Sequence, residues 1–391
     1  MVIARHRLRE RRRARADAEC LAGIATSRRV MVVETSPSGH RLVFVREIVA
    51  EALRRRSSVV FATTESVLRD PAFARHVAAF AQMIELQLVP GKLTVKGLQV
   101  RASALGCDLV IVPDALKYRS ALLPGLTRRL PLVRLVIMND PLWEVRRRWL
   151  PSPKLLLKRG VLLLSGARRG VQILWLRGQG SRRTASIVVD PLLLDGSVSS
   201  IREDAARMRS ALMMDEGTFW FGIVGALDAR KNVPLVIDAL RKAARETGIP
   251  VGLALLGPWS DPVTERSAST ALATCDYRVV RRHDALTNRE MNVAVAALDC
   301  VVMAYSTSAP NSTAAKAAAL GVRVAAAGSA SFRRFVSQVT GLAGASLDVD
   351  AVARELVAAL QRPLPEPRKL TGSEGLTDPL LAPISVPRRY R

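Results

Sequence analysis

Residues 218–247 read TFWFGIVGALDARKNVPLVIDALRKAARET. The first seven form an apolar run of strand length, Gly225 opens a turn of small and polar residues, and 232–247 repeat apolar residues at helical spacing. A strand that is apolar on both faces belongs inside a parallel sheet, where crossover helices cover it on each side. The stretch therefore predicts the repeating unit of an α/β domain.

The same alternation runs outward in both directions. Toward the C-terminus, strands are expected at 251–256, 277–281, 300–304 and 322–326, with helices at 261–274, 288–298, 312–320 and 349–360. Toward the N-terminus, strands are expected at 30–34, 59–62, 84–89, 109–113, 132–138 and 186–191, with helices at 42–55, 72–82 and 95–105. A chain of 391 residues exceeds one ordinary core. The expected fold class is α/β: two Rossmann-like, doubly wound domains facing across a cleft. The expected divisions are a basic extension at 1–27, an N-terminal domain at 28–196, a crossing near 196–214, a C-terminal domain at 215–362 and a Pro-rich tail at 363–391. Pro363, Pro365, Pro367, Pro379, Pro383 and Pro387 predict that this tail is extended or disordered.

Composition narrows the class further. Cys20, Cys107, Cys275 and Cys300 are scattered with no Cys-x-x-Cys pair, which gives no case for a zinc site or a disulfide framework. No apolar run reaches the roughly 18 residues that span a bilayer, and no signal sequence follows the Arg-rich start, so a cytoplasmic protein is expected. The formal charge of +25 calls for an anionic partner. Residues 117–183 hold sixteen Lys or Arg against Asp140 and Glu144, with Trp143, Trp149 and Trp175 beside leucine runs. That mixture suits peripheral binding at an anionic plasma membrane's inner face, the alternative being a solvated face in an arginine-rich chain. No nucleic-acid module is recognisable, so no nucleic-acid partner is expected.

Ligands of doubly wound domains lie at the carboxyl ends of the strands, which singles out four clusters. Ser36-Pro37-Ser38-Gly39-His40 follows the first strand; its small residues suit backbone approach to phosphate or sugar, and equally suit an ordinary turn into a helix. Gly225-Ala226-Leu227-Asp228-Ala229-Arg230-Lys231-Asn232 combines a glycine with a lysine six residues later, which suits a departing diphosphate. In the third cluster, Ser308, Asn311, Ser312 and Thr313 precede or open a helix, where hydroxyls either cap it or bind ligand oxygens. Lys316, among alanines of that helix, either snorkels outward or points at an anion. The fourth is Asn139-Asp140, where Asp140 either orients an acceptor hydroxyl or starts a turn before Pro141.

The second half resembles the nucleotide-binding half of family 4 glycosyltransferases, retaining enzymes of the two-Rossmann B type, GT-B. The likeness rests on Phe221-Gly222-Ile223-Val224-Gly225-Ala226-Leu227 with Arg230-Lys231-Asn232, and on the helix Leu235-Val236-Ile237-Asp238-Ala239-Leu240. It continues through Ala254-Leu255-Leu256-Gly257, Ala296-Ala297-Leu298-Asp299-Cys300-Val301-Val302 and Lys316-Ala317-Ala318-Ala319-Leu320-Gly321-Val322-Arg323-Val324, so it covers 218–361. In the first half, Ser38-Gly39-His40-Arg41 resembles the family's glycine loop.

The resemblance implies a donor site of Gly225, Arg230, Lys231, Asn232, Ser308, Asn311, Ser312, Thr313 and Lys316, with Lys231 on the diphosphate and Gly39 and His40 facing the transferred sugar. His40, Asp140 and Lys231 are the expected catalytic set. The family pattern differs at four positions: its two glutamates eight apart are Ser308 and Lys316 here, its arginine after the loop glycine is Ala226, and its histidine is Asn139. The enzyme implied is a retaining hexosyltransferase moving sugar from a nucleotide diphosphate sugar to a glycan or lipid-linked acceptor, in cell-envelope polysaccharide synthesis. Neither metal nor cofactor is expected beyond the donor. The departures favour the alternative of a non-catalytic relative that binds a nucleotide or a partner at the membrane surface.

Overall fold

Apolar strands and covering helices alternate in a computed structural model of the chain, which describes residues 28–37, 41–91, 94–115, 131–138, 170–179, 184, 186–306, 312–342 and 344–383. Contacts divide it into two units, one within 1–138, 150–174 and 380–391, the other within 139–149 and 175–379. The expected extension at 1–27 lies outside the described residues.

The first unit begins with β1 (Arg29–Val33), α1 (Arg41–Arg54) and β2 (Ser58–Thr63). A short helix not anticipated, α2 (Glu65–Leu68), comes next, and the expected helix at 72–82 is instead α3 (Pro71–His76) and a 3-10 turn at Ala78–Phe80, parted at Val77. Asp70 parts α2 from α3, because its carboxylate accepts from Ala72 N at 2.8 Å and caps a new helix that starts at Pro71. β3 (Glu85–Leu88), α4 (Val95–Ala104), β4 (Leu109–Val112) and β5 (Leu132–Ile137) follow the expected pattern. β6 (Val171–Arg177) was not anticipated, and β7 (Ile187–Val189) completes a sheet of order β3-β2-β1-β4-β5-β6-β7. The chain order reverses between β1 and β4, which is the switch point of this sheet.

The second unit holds α5 (Val198–Ala211), β8 (Phe219–Val224), α6 (Val233–Thr247), β9 (Val251–Leu256), α7 (Pro262–Leu272), β10 (Arg278–Arg282) and α8 (Asn288–Ala296). It continues with β11 (Cys300–Tyr305), α9 (Ser312–Leu320), β12 (Arg323–Gly328), α10 (Ala330–Thr340), α11 (Val349–Gln361) and α12 (Glu374–Leu381). Its parallel sheet has the order β10-β9-β8-β11-β12, with a switch point between β8 and β11. On one face Val236, Ile237 and Leu240 of α6 meet Leu356 of α11 over Leu253 and Val302. On the other, Ile201 of α5, Val293 of α8, Ala314 and Ala318 of α9 and Val336 of α10 pack over Trp220 and Met303. The expected crossing at 196–214 is thus largely a helix, capped by Ser197, whose hydroxyl accepts from Ser200 N at 3.1 Å.

The tail departs from expectation. Residues 363–373 are non-helical, yet Arg368 N donates to Ala318 O at 2.9 Å and Arg368 Nη1 to Val339 O at 3.0 Å. α12 then forms despite Pro379, because Leu376 and Leu380 are fully buried along it. Its last carbonyls, from Leu380 on, belong to the first unit and are gripped by two arginines of that unit. Arg28 Nη1 donates to Leu381 O and Ala382 O at 3.2 and 3.0 Å; buried Arg134 Nη1 donates to Leu380 O and Ala382 O at 2.7 and 2.9 Å. Cations suit the carbonyl end of a helix, although burial lowers Arg134 to about 10. Among the described residues no helix is long and apolar enough to cross a membrane.

The core of the second unit makes a packing prediction. A Cβ on Gly252 would stand 2.5 Å from the Trp220 ring, which is fully buried and held by an indole N–H bond to Asp215 O at 3.1 Å. The ring has nowhere to retreat, so Gly252→Ala should lower the urea-unfolding free energy by about 1–3 kcal/mol, whereas no loss would show that the ring is free to shift.

Candidate functional site

The β8–β11 switch point of the second unit is built from backbone and small residues. Gly225 ends β8 with φ +84°, and its N–H donates to Leu256 O at 2.8 Å. Gly257 ends β9 with φ +144°, and a Cβ there would fall 2.6 Å from Gly225 O. Backbone lies directly on backbone, which leaves no room for a side chain at Gly257. The loop then turns through Asp228, whose carboxylate accepts from Arg230 N at 3.0 Å. Asn232 takes a left-handed conformation, φ +48°, and starts the fifteen-residue helix α6. Its side-chain amide donates to Arg230 O at 2.9 Å and to Ala304 O at 2.8 Å, while Ser306 N donates to Arg230 O at 3.0 Å. The loops after β8 and β11 are thereby joined.

Lys231 lies inside this turn. The side chain is buried, its Nζ donates to Val224 O at 2.6 Å, and it stands 3.5 Å from where a Cβ on Gly225 would be. Burial lowers its pKa to about 8, against the pull of Asp228 and with a push from Arg230. Its neighbour differs: Arg230 is half exposed, and its Nη2 pairs with Asp228 Oδ2 at 2.6 Å. That pairing raises the Arg230 pKa.

Ser312 and Thr313 open α9, with Thr313 buried. Lys316 neither snorkels to solvent nor offers an open ammonium. Its Nζ donates to Leu193 O at 3.2 Å, Asn288 Oδ1 at 2.7 Å and Asn292 Oδ1, so three acceptors match its three protons. Every side chain from Thr313 to Leu320 is buried, which leaves the amine no route outward. Burial lowers it to about 8, with Asp195 and Asp190 opposing, and burial raises Asp190 to about 7 against the pull of Lys316. The expected anion ligand is an internal strut.

Gly39, His40, Asp140, Ser308 and Asn311 lie outside the described residues. At the switch point of the first unit, the structure shows a group that sequence reasoning missed. The partly buried Arg41 pairs through Nη2 with Oδ2 of the buried Asp114 at 2.7 Å, and Arg41 Nη1 donates to Ser36 Oγ at 3.1 Å. Glu34, fully buried, accepts from Ser36 N at 2.9 Å, and its own carbonyl accepts from Thr63 Oγ1 at 2.7 Å. The legible signal was polar residues closing apolar runs at Glu34 and Asp114. A pocket of about 340 Å³ lined by Thr218, Arg245, Asp276 and Arg278 sits at the opposite, N-terminal ends of β8–β10, away from this chemistry. Among the described residues, no group of three or more His, Cys, Asp or Glu is placed to hold a metal ion.

No protein-family model matches the chain, and no curated protein matches it by sequence. Solved structures do match. A glycosyltransferase from Rickettsia africae superposes with a TM-score of 0.59 at 10% identity, over 86% of this chain and 89% of that one. HepE from Anabaena, solved with UDP and glucose, gives 0.56 at 15% identity over 90% and 92%. A UDP-N-acetylglucosamine 2-epimerase gives 0.53 at 15% over 91% and 95%. The chain has the GT-B fold. At such low identity the likeness establishes architecture, and the GT-B fold carries more than one chemistry, so activity has to be argued from the site.

The buried titrating groups of the second unit fix a pH profile. Asp190 holds a proton in the folded chain between its ordinary 3.8 and about 7, so stability should fall as pH rises through that window. Lys231 and Lys316 release theirs early, between about 8 and the ordinary 10.5, so stability should rise there. Urea midpoints measured from pH 4 to 9, below the range where the raised Cys300 and Tyr277 oppose the lysines, should pass through a minimum near 7–8. Asp190→Asn should flatten the acid side, and Lys316→Met should flatten part of the alkaline side while lowering stability throughout; a profile indifferent to both would refute the assignment.

Proposed function

We propose that the chain is a retaining, metal-independent glycosyltransferase that takes sugar from a nucleotide diphosphate sugar and gives it to a glycan or lipid-linked acceptor. One observation carries the reading: the buried Lys231 ammonium lies beside Gly225, at a sheet switch point and at the start of α6. A diphosphate over that glycine meets a cation, backbone N–H groups and the positive end of a helix dipole. As the sugar–phosphate bond breaks, these groups take up the negative charge; the acceptor oxygen bonds the anomeric carbon, and its proton passes to the departing phosphate oxygen. Arg230 stands at the rim, Asn232 shapes the turn, and Ser308, Asn311, Ser312 and Thr313 line the sugar-nucleotide side. Gly39, His40 and Asp140 serve the transferred sugar and the acceptor hydroxyl. The basic, Trp-bearing stretch 117–183 brings the protein to the inner face of an anionic membrane, where a lipid-linked acceptor resides.

A second reading, a non-catalytic nucleotide-binding relative, is favoured by the engagement of Lys316 within the protein at a position where the family has a carboxylate.

UDP is the first probe, because HepE is solved with it. Calorimetry should show UDP binding that Lys231→Ala weakens by about tenfold or more, the loss expected for one charge-assisted contact to phosphate. Unchanged affinity would place the diphosphate elsewhere. Hydrolysis of UDP-glucose would support catalysis, and binding without turnover against any acceptor would favour the second reading. Sedimentation with phosphatidylserine vesicles should fall steeply between 0.05 and 0.5 M salt, since exposed charges are screened within about 10 Å at 0.1 M; salt-independent sedimentation would remove the electrostatic membrane reading.

A further inference from the structure

The open face of Gly225 is covered by a side chain. A Cβ built there would lie 3.0 Å from Met291 Cε and 3.8 Å from Met291 Sδ, with Lys231 Nζ at 3.5 Å. The thioether thus borders the same small space as the buried ammonium. Met291 is partly exposed, although it packs against the core beneath it.

The helix that carries Met291 is held firmly. Thr287 and Glu290 form a capping box, with Glu290 N donating to Thr287 Oγ1 at 3.2 Å and Thr287 N to Glu290 Oε2 at 2.8 Å. Arg282 Nη2 donates to Glu290 Oε1 at 2.5 Å. Lys316 bonds Asn288 and Asn292, which flank Met291 in the same turns. Backbone movement of α8 would have to break these bonds together. The methionine side chain, by contrast, is unbranched, has no polar bond to lose and turns about successive single bonds at little cost. Of the two side chains nearest a Cβ at Gly225, it is the one free to yield, since Lys231 Nζ is bonded to Val224 O.

We infer that Met291 is a side-chain gate on the diphosphate site: its methyl group covers Gly225 and turns aside as a phosphate pair enters, setting how fast and how tightly that pair is held. The inference rests on Gly225 and Lys231 being the diphosphate site. It differs from a passive packing role in its kinetics, because displacement of the thioether is a step on the way in. It also acts on the phosphates rather than on the base or the sugar, so any diphosphate should feel it.

The test uses the full chain with UDP and with inorganic pyrophosphate, by calorimetry and stopped-flow, in the wild type, Met291→Ala, Met291→Leu and Lys231→Ala. Met291→Ala should raise association rate and affinity by about three- to tenfold for both probes, since no side chain then has to move. Met291→Leu, similar in volume but branched and stiffer, should slow association for both. Melting temperatures show which variants keep their fold, and Met291→Leu, as a volume-conserving exchange, carries the test if the alanine variant is lost. Weaker or unchanged binding in a folded Met291→Ala, or an unchanged association rate in Met291→Leu, would overturn the gate. If wild-type binding is abolished by Lys231→Ala yet indifferent to Met291, the gate alone falls. If the wild type binds neither probe, the diphosphate site falls with it.

Discussion

An ammonium sealed among alanines has to find acceptors for all three of its protons, and the second unit is arranged around the acceptors that Lys316 finds. Leu193 O belongs to the chain leading from β7 into α5, while Asn288 and Asn292 belong to α8. One amine on α9 therefore ties three separate segments. The asparagine amides close the network, Asn288 Nδ2 donating to Leu193 O and Asp195 Oδ2 at 3.0 Å each and Asn292 Nδ2 to Leu193 O at 3.3 Å. Such a cluster is all or none. Removing the ammonium strands the two asparagine oxygens, Leu193 O keeping its amide donors, and removing an asparagine leaves a buried charge short of a partner.

Lys231 shares the burial and the lowered pKa of Lys316 but not its saturation. Val224 O is its described acceptor, and the wall beside it is glycine backbone and a thioether. The contrast separates a lysine whose three protons all have acceptors from one with a single described acceptor, which is what the proposed diphosphate site draws on. A phosphate pair would supply the opposite charge that burial withholds, raising the amine toward its ordinary value and coupling anion binding to proton uptake between about pH 8 and 10.5. Lys316, surrounded already, has nothing comparable to gain.

Most of the architecture was legible because apolar runs and helical spacing are local. Strands β8, β9 and β11 lie within a residue of where the sequence puts them, since each is apolar on both faces and bounded by glycine or polar residues. β6 was hidden because Val171–Arg177 sits in a stretch whose arginines mask its period. α5 and α12 were missed for the opposite reason: each is weakly apolar or carries a proline, and owes its shape to what it packs on. At the site, the glycine turn and its lysine were readable from spacing, but the direction of Lys316 was not. An alanine-rich helix looks the same whether it is exposed or enclosed, and the acceptors that turn its lysine inward lie 24 to 123 residues away. The Arg41–Asp114 pair is long-range in the same way.

The choice between the two cations follows the same physics. Near the surface of the described chain, arginines face carboxylates with their planar forks, as Arg54 and Arg55 do Glu51, Arg289 does Asp204 and Arg362 does Glu355. Lysine is the cation enclosed at Lys231 and Lys316, and at Lys316 the compact ammonium is satisfied by a carbonyl and two amide oxygens closing from several sides. Arg134 is a buried exception, and it too spreads its fork over neutral acceptors, Gln172 Oε1 and two helix-end carbonyls. Among the described residues many acids are paired with arginines, as Glu51, Asp204 and Glu355 are, and 117–183 contains two acids against sixteen bases. Two carboxylates cannot neutralise that stretch from within, so its excess field is balanced by solvent ions or by an anionic surface that displaces them.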